Sequence, residues 1–257
     1  MKIAIIGGHL TPALSVIEEI GKSAEILYIG RKKAIEGDRA TSLEYETITK
    51  KGIKFAEIKT GRLQRSITRR TVPSLTKIPI GFIQALFILS RFKPNVVVGF
   101  GGYVSFPVIL AARILKIPVV IHEQTLEAGA TNRIVARFAD KICISFSSSS
   151  KYFPKEKIVF TGNPIRSSIA HPSKKIDLPS NYPIIYITGG SIGSHFINQL
   201  VSENLTKLLD KYALVHQTGD SSEFGDFDKL LILKENNRIY HKTSKSCHFS
   251  GGSEYNI

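Results

Sequence analysis

The sequence predicts an α/β chain built on doubly wound parallel sheets, and three observations carry that expectation. Short apolar runs alternate with stretches of helical periodicity. The runs are apolar at nearly every position, as strands covered on both faces are. Glycine-containing turns follow several of the runs and lead into helices.

In order, the apolar runs at 3–6, 26–29, 96–100, 119–121 and 142–144 read as buried parallel strands. Residues 11–20, 105–115 and 129–138 carry apolar positions at helical spacing. Residues 171–183 hold three prolines and several polar residues, which marks a connection. A second cycle then begins: a strand at 184–188, a glycine turn at 189–191, a helix over 192–209 and a strand at 213–217. Fewer than 100 residues remain after Pro164, too few for a complete second domain of this kind. From Asn236 onward no period is sustained and little is available to bury, so 236–257 is expected to be a disordered tail. The expected organisation is an N-terminal Rossmann-like domain at 1–163, a partial second domain at 164–235, and that tail.

A chain of 257 residues with 42% hydrophobic and 22% charged residues is long and apolar enough to bury a core. Two cysteines, Cys143 and Cys247, cannot form a disulfide framework and fit a reducing compartment. The start, MKIAIIGG, enters a strand with no charged leader. The longest nearly apolar stretch, 78–89, contains Gln84 and falls short of the roughly 20 residues a spanning helix needs. A soluble, cytoplasmic chain is expected. The net charge of +14 is concentrated: between Lys50 and Lys93 eleven basic residues face the single acid Glu57. That excess fits an anionic partner or, equally, a solvated lysine-rich face. No nucleic-acid recognition motif accompanies it, so no nucleic-acid partner is expected.

Three glycine turns follow strands: Gly7-Gly8-His9, Gly99 to Tyr103, and Gly189 to Gly193. Glycine lets a ligand approach the backbone, and the helix that follows offers unpaired N–H groups to an anion. None matches a P-loop or the dinucleotide fingerprint GxGxxG. Together they suggest a phosphate-bearing ligand plus a second polar one. His122-Glu123-Gln124 closes the strand at 119–121, where substrate polar groups are read in such sheets. A hydrogen-bonded strand end explains the triplet as well. It is not HExxH, so a zinc site is not indicated.

These residues resemble the MurG family of peptidoglycan glycosyltransferases. The matching motifs are GGHLTPAL at 7–14, GFGGYVSFP at 99–107, HEQ at 122–124 with AGATNR at 128–133, TGNPIR at 161–166 and GGSIGS at 189–194. The resemblance covers about residues 1–220. It implies a two-domain GT-B fold and an inverting transfer of N-acetylglucosamine from UDP-N-acetylglucosamine to the undecaprenyl-linked lipid I, giving lipid II. It also implies no cofactor or obligatory metal, and a place at the cytoplasmic face of the bacterial membrane, in the peptidoglycan synthesis that supports cell shape and division.

Under that resemblance His9 is the base, since imidazole titrates near neutrality; it could equally cap its helix. Gly7, Gly8, Thr125, Arg166, Gly190, Ser191 and Ile192 fall to the donor. Gly101, Gly102, Tyr103, Ser105, His122, Glu123 and Asn132 fall to the acceptor. Arg65, Arg69, Arg70, Phe82 and Leu86 are expected to face an anionic membrane, in a patch with Lys77, Ile80, Ile83, Phe87 and Leu89 whose apolar residues are shared with the core. Other GT-B acceptors, such as a diacylglycerol, and a non-catalytic membrane- or acceptor-binding fragment are the alternatives.

The chain also departs from the family. Ile6 stands at the threonine of the family's GGTGGH, and Thr125 at the asparagine of HEQN. The later GAxTxxE region, the glutamine after it and the closing helix are missing, so a truncated or frame-shifted coding sequence is expected. Asp226-Phe227-Asp228 spells DxD, a metal signature of another glycosyltransferase fold, and reads as a chance match on a surface loop.

Overall fold

The computed structural model describes residues 1–33, 41–61, 77–170, 182–189, 193–219, 224–226, 229–230 and 240–243. The chain divides into two compact units, Met1–Ala170 and His171–Ile257.

Unit 1 carries a seven-stranded sheet in the order β3-β2-β1-β4-β5-β6-β7. The strands are β1 (Lys2–Ile6), β2 (Glu25–Gly30), β3 (Lys54–Glu57), β4 (Val96–Gly99), β5 (Val119–Glu123), β6 (Lys141–Ile144) and β7 (Ile158–Phe160). All neighbours pair in parallel. Side chains of β1 alternate between two cores. Ile3 and Ile5 pack with Leu14 and Ile17 of α1 (Leu10–Ile20) and Ile48 of α2 (Leu43–Lys50). Ala4 and Ile6 join the other face, which holds Ala85 and Leu89 of α3 (Lys77–Phe92), Val108 and Ile109 of α4 (Ser105–Ile114) and Val135 of α5 (Ala130–Val135). Burial on both faces explains why these strands lack a period of two.

The strand order reverses between β1 and β4. In doubly wound sheets the crevice outside the carboxyl ends of the strands at such a switch point is where ligands bind. Two of the glycine turns leave β1 and β4 there.

Unit 2 has a three-stranded parallel sheet, β10-β9-β8, made of β8 (Ile184–Thr188), β9 (Ala213–Gln217) and β10 (Tyr240–Thr243). Helix α6 (His195–Leu209) places Val201 and Leu205 against Ile185, Ile187 and Leu214. The other face of β8 leaves Ile184 and Tyr186 exposed. Strand β10 corrects the expectation for 236–257 at four residues: Tyr240 to Thr243 pair with Leu214 to Gln217. The remainder of that stretch lies outside the described residues.

Candidate functional site

At the switch point the two turns touch. A Cβ on Gly8 would overlap the Gly101 carbonyl oxygen, and one on Gly102 would lie 2.9 Å from the Gly8 Cα. Both contacts are backbone, which cannot swing aside, so side-chain-free residues are required on each side of the joint. Gly101 and Gly102 also have φ of 81° and 73°, in the left-handed region. His9 occupies the N-cap position of α1 but makes no side-chain capping hydrogen bond. Its ring is therefore not committed to the helix. It is exposed and adjoins Gly101, whose Cβ would lie 3.5 Å from both the His9 Cδ2 and the Asn132 Nδ2. Desolvation pulls the His9 imidazole below its ordinary value, while the charge of Glu123 acts in the opposite direction.

Gly7 does not join Gly8 at the surface. It is buried, its N–H donates to the Ile29 carbonyl at 2.9 Å, and the Glu44 carboxylate lies over it with the Tyr28 hydroxyl. Tyr28 is fully buried and donates to Glu44 Oε1 at 2.6 Å. Burial, with the Glu44 charge beside it, pushes the phenol far above its ordinary range. The Gly7 amide is thus engaged by β2, and only Gly8 of this pair is exposed.

Glu123 ends β5 and is 1% exposed. Its Oε1 accepts from the Thr125 amide at 3.1 Å and lies 2.6 Å from the Thr125 hydroxyl; its Oε2 accepts from the Gly129 amide at 2.9 Å and Asn132 Nδ2 at 3.0 Å. A buried carboxylate needs such donors, and both oxygens have them. The structure thus makes Glu123 the anchor of the loop from 123 to 132 rather than a group presented to acceptor. Thr125 turns its hydroxyl inward, onto Glu123 and the Glu127 carbonyl. Asn132 spends its amide nitrogen on Glu123 and the His122 carbonyl, and its buried Oδ1 has no hydrogen-bond partner.

His122 is 4% exposed, with Nε2 at 3.2 Å from the Gly162 carbonyl. Burial lowers its pKa, opposed by that hydrogen bond. Its visible work is tying β5 to the turn after β7. Ser105 is likewise buried and donates its hydroxyl to the Gly101 carbonyl, so it holds the second turn from behind. These two and Glu123, assigned by resemblance to the acceptor, support the turns instead of lining an open surface. Tyr103 stands in the turn itself, half-buried.

Arg31 was not singled out from the sequence. It follows β2 directly, and its guanidinium stacks 4.8 Å from the Tyr103 ring centroid, which adds a cation beside the second turn. A basic residue at the carboxyl end of a buried strand was the available signal. Arg166 is half-buried just after the TGNPI run. Gly190, Ser191 and Ile192 lie outside the described residues, as do Arg65, Arg69 and Arg70. Phe82 and Leu86 are on α3 but pack partly buried against the core. The outward apolar positions on that helix are Ile80, Ile83 and Phe87, the last two each 65% exposed. The helical turn explains this division of the run between core and surface, since an apolar run cannot present every residue to one side. No helix among the described residues is long and apolar enough to cross a membrane.

Two Rossmann-like parallel units with glycine turns at their sheet ends define the GT-B class of glycosyltransferase folds. Acinetobacter baumannii MurG superposes with a TM-score of 0.64 at 24% identity, over 96% of this chain and 68% of that one. A UDP-GlcNAc 2-epimerase from Neisseria meningitidis, solved bound to UDP-GlcNAc, gives 0.60 at 18% identity over 97% and 73%. The chain belongs to glycosyltransferase family 28: the family's N-terminal domain matches residues 6–144 and its C-terminal domain residues 184–244.

Curated relatives agree. One from Clostridium tetani is 35% identical over 91% of this chain and 65% of its own length. Another, from Caldanaerobacter subterraneus subsp. tengcongensis, is 36% identical over 97% of this chain and 68% of its own length. Both are named UDP-N-acetylglucosamine--N-acetylmuramyl-(pentapeptide) pyrophosphoryl-undecaprenol N-acetylglucosamine transferase. The chain spans about two thirds or less of the curated relatives it matches, 58% of the one from Desulfotalea psychrophila.

Proposed function

We propose that this chain serves the transfer of N-acetylglucosamine from UDP-N-acetylglucosamine to an undecaprenyl-diphosphate-linked muramoyl pentapeptide. The observation that carries the reading is an uncommitted His9 at the joint of two glycine turns, in a chain whose relatives bear that activity in their names. Inverting transfer requires a base for the acceptor hydroxyl as the sugar leaves UDP. A base must be neutral before the step, and the lowered pKa of His9 favours that form at pH 7. The charge of Glu123 then stabilises the imidazolium that results. Asn132, with an unpaired buried amide oxygen beside Gly101, and Arg31 on Tyr103 supply polar contacts for the acceptor. The amides at the start of α6 supply the leaving diphosphate with hydrogen-bond donors.

The chain works at the cytoplasmic membrane surface on this reading, with Ile80, Ile83 and Phe87 as its apolar contact. Those same outward residues favour the second reading, a membrane-binding module without transfer. Calorimetric titration with UDP-N-acetylglucosamine, followed by transfer of labelled sugar to a lipid I analogue, tests both. Binding and transfer are expected. Liposome binding with neither would favour the module.

A further inference from the structure

Unit 2 holds a cluster that the reading above does not use. Asp226, half of the DxD string, is not a bare surface aspartate. Its Oδ1 lies 2.9 Å and its Oδ2 3.1 Å from His195 Nδ1, and Oδ2 also accepts from Asn198 Nδ2 at 3.0 Å. Burial raises its pKa, but the hydrogen bonds from Asn198 and His195 and the nearby cationic charge outweigh it, and the net shift is downward. An ionised carboxylate only accepts, so His195 Nδ1 carries the proton. Phe224 stacks on the face of the imidazole, centroids 4.1 Å apart and planes 16° from parallel.

Three further contacts join the same two segments. Asn198 Nδ2 donates to the Thr218 carbonyl at 3.0 Å. Gly193, with φ of 87°, packs so tightly on Thr218 that a Cβ would overlap its carbonyl oxygen and lie 3.1 Å from the Gly219 Cα. The N-cap residue Ser194, meanwhile, makes no side-chain capping bond. The start of α6 is therefore held from outside, by the segment that follows β9, and not by its own cap. The Ser194 side chain leaves the first amides of the helix uncapped.

We propose that Asp226 and His195 are a positioning pair that fixes the amide-bearing end of α6 for a nucleoside diphosphate. This rests on reading unit 2 as the part that holds the nucleotide sugar. Neither residue touches the nucleotide on this proposal. Asp226 acts through His195 and Asn198, and the gain is alignment of backbone donors, whose strength falls steeply with misplacement. Both Asp226 oxygens are occupied by N–H donors, which blunts the repulsion a bare carboxylate would exert on phosphate.

The test compares UDP with uridine, which lacks the phosphates, by calorimetry on the whole chain. His195→Phe keeps the stack on Phe224 but loses the donor, and Asp226→Asn loses the charge. Each is expected to weaken UDP about tenfold and uridine less than about twofold. His195→Asn puts an amide N–H near the Nδ1 position and restores UDP binding to within about threefold. Equal losses for UDP and uridine would reduce the pair to a structural brace and overturn the proposal. So would unchanged UDP binding in both variants, or tighter binding in Asp226→Asn, which would mark the carboxylate as a mere like charge. Failure of the unsubstituted chain to bind UDP would overturn the reading of unit 2 itself, and the pair's role with it.

Discussion

β1 of unit 1 and β8 of unit 2 start from the same plan, a short parallel strand followed by a glycine turn and a helix. β1 is covered on both faces, by Leu14 on one side and Val108 and Ile109 on the other. Among the described residues β8 is covered on one, and Tyr186 on its other face is 50% exposed. The difference shows where each unit finds its rigidity. Unit 1 fixes its turns through a two-sided core, with buried groups such as Ser105, His122 and Glu123 behind them. Unit 2 fixes the start of α6 locally, with side chains of the helix reaching the segment that follows β9.

The largest effect expected from this comparison is functional. His9→Ala should lower transfer about 10²- to 10⁴-fold while leaving thermal stability unchanged, because the ring caps nothing. Single-turnover transfer and a melting curve on one sample check both halves. Core truncations come next. Ile121→Ala, in a site walled by sheet and helix, is expected to cost about 3–5 kcal/mol in urea unfolding, and Ile185→Ala on β8 nearer 2 kcal/mol, because a half-buried side chain gives up less apolar burial. Equal costs would break the comparison.

Glu123→Gln sharpens it further. The amide would present N–H toward one pair of the four donors now served by the carboxylate, and a loss of about 1.5–3 kcal/mol is expected. The smallest effect is a pH slope. Because the native His122 resists protonation, the unfolded chain binds the extra proton more readily. Stability should hold above the ordinary histidine value of about 6.5 and decline as pH falls from there toward the lower native value. Urea midpoints across that window should flatten in His122→Phe, a variant that loses the titration.

Much of this plan is legible in the chain itself, and what is missed is missed for definable reasons. β1, β2, β4, β5 and β6 announce themselves because double burial makes them apolar throughout. β3 and β7 lie at the sheet edges, where KFAE and IVF are short and mixed in exposure, so no period distinguishes them. β10, with the sequence YHKT, is likewise a short edge strand, and its sequence is polar. At the site, the turns and His9 are visible as glycine and histidine after strands. The inward aim of Glu123, Thr125 and Ser105 is not, because spacing gives position along the chain but not which donors a loop folds back on. His195 and Asp226 are 31 residues apart, and nothing local links them.

The joint between Gly8 and the Gly101-Gly102 turn has a consequence for how this molecule can vary. Two chain segments about ninety residues apart share one volume of space, with no room for a methyl group on either side. Each position vetoes change at the other as well as at itself. For mutation or redesign the two turns therefore behave as one locus: widening the cleft at either requires both strands to shift, and with them the registers that pair Ile3–Ile6 to Val96–Gly99.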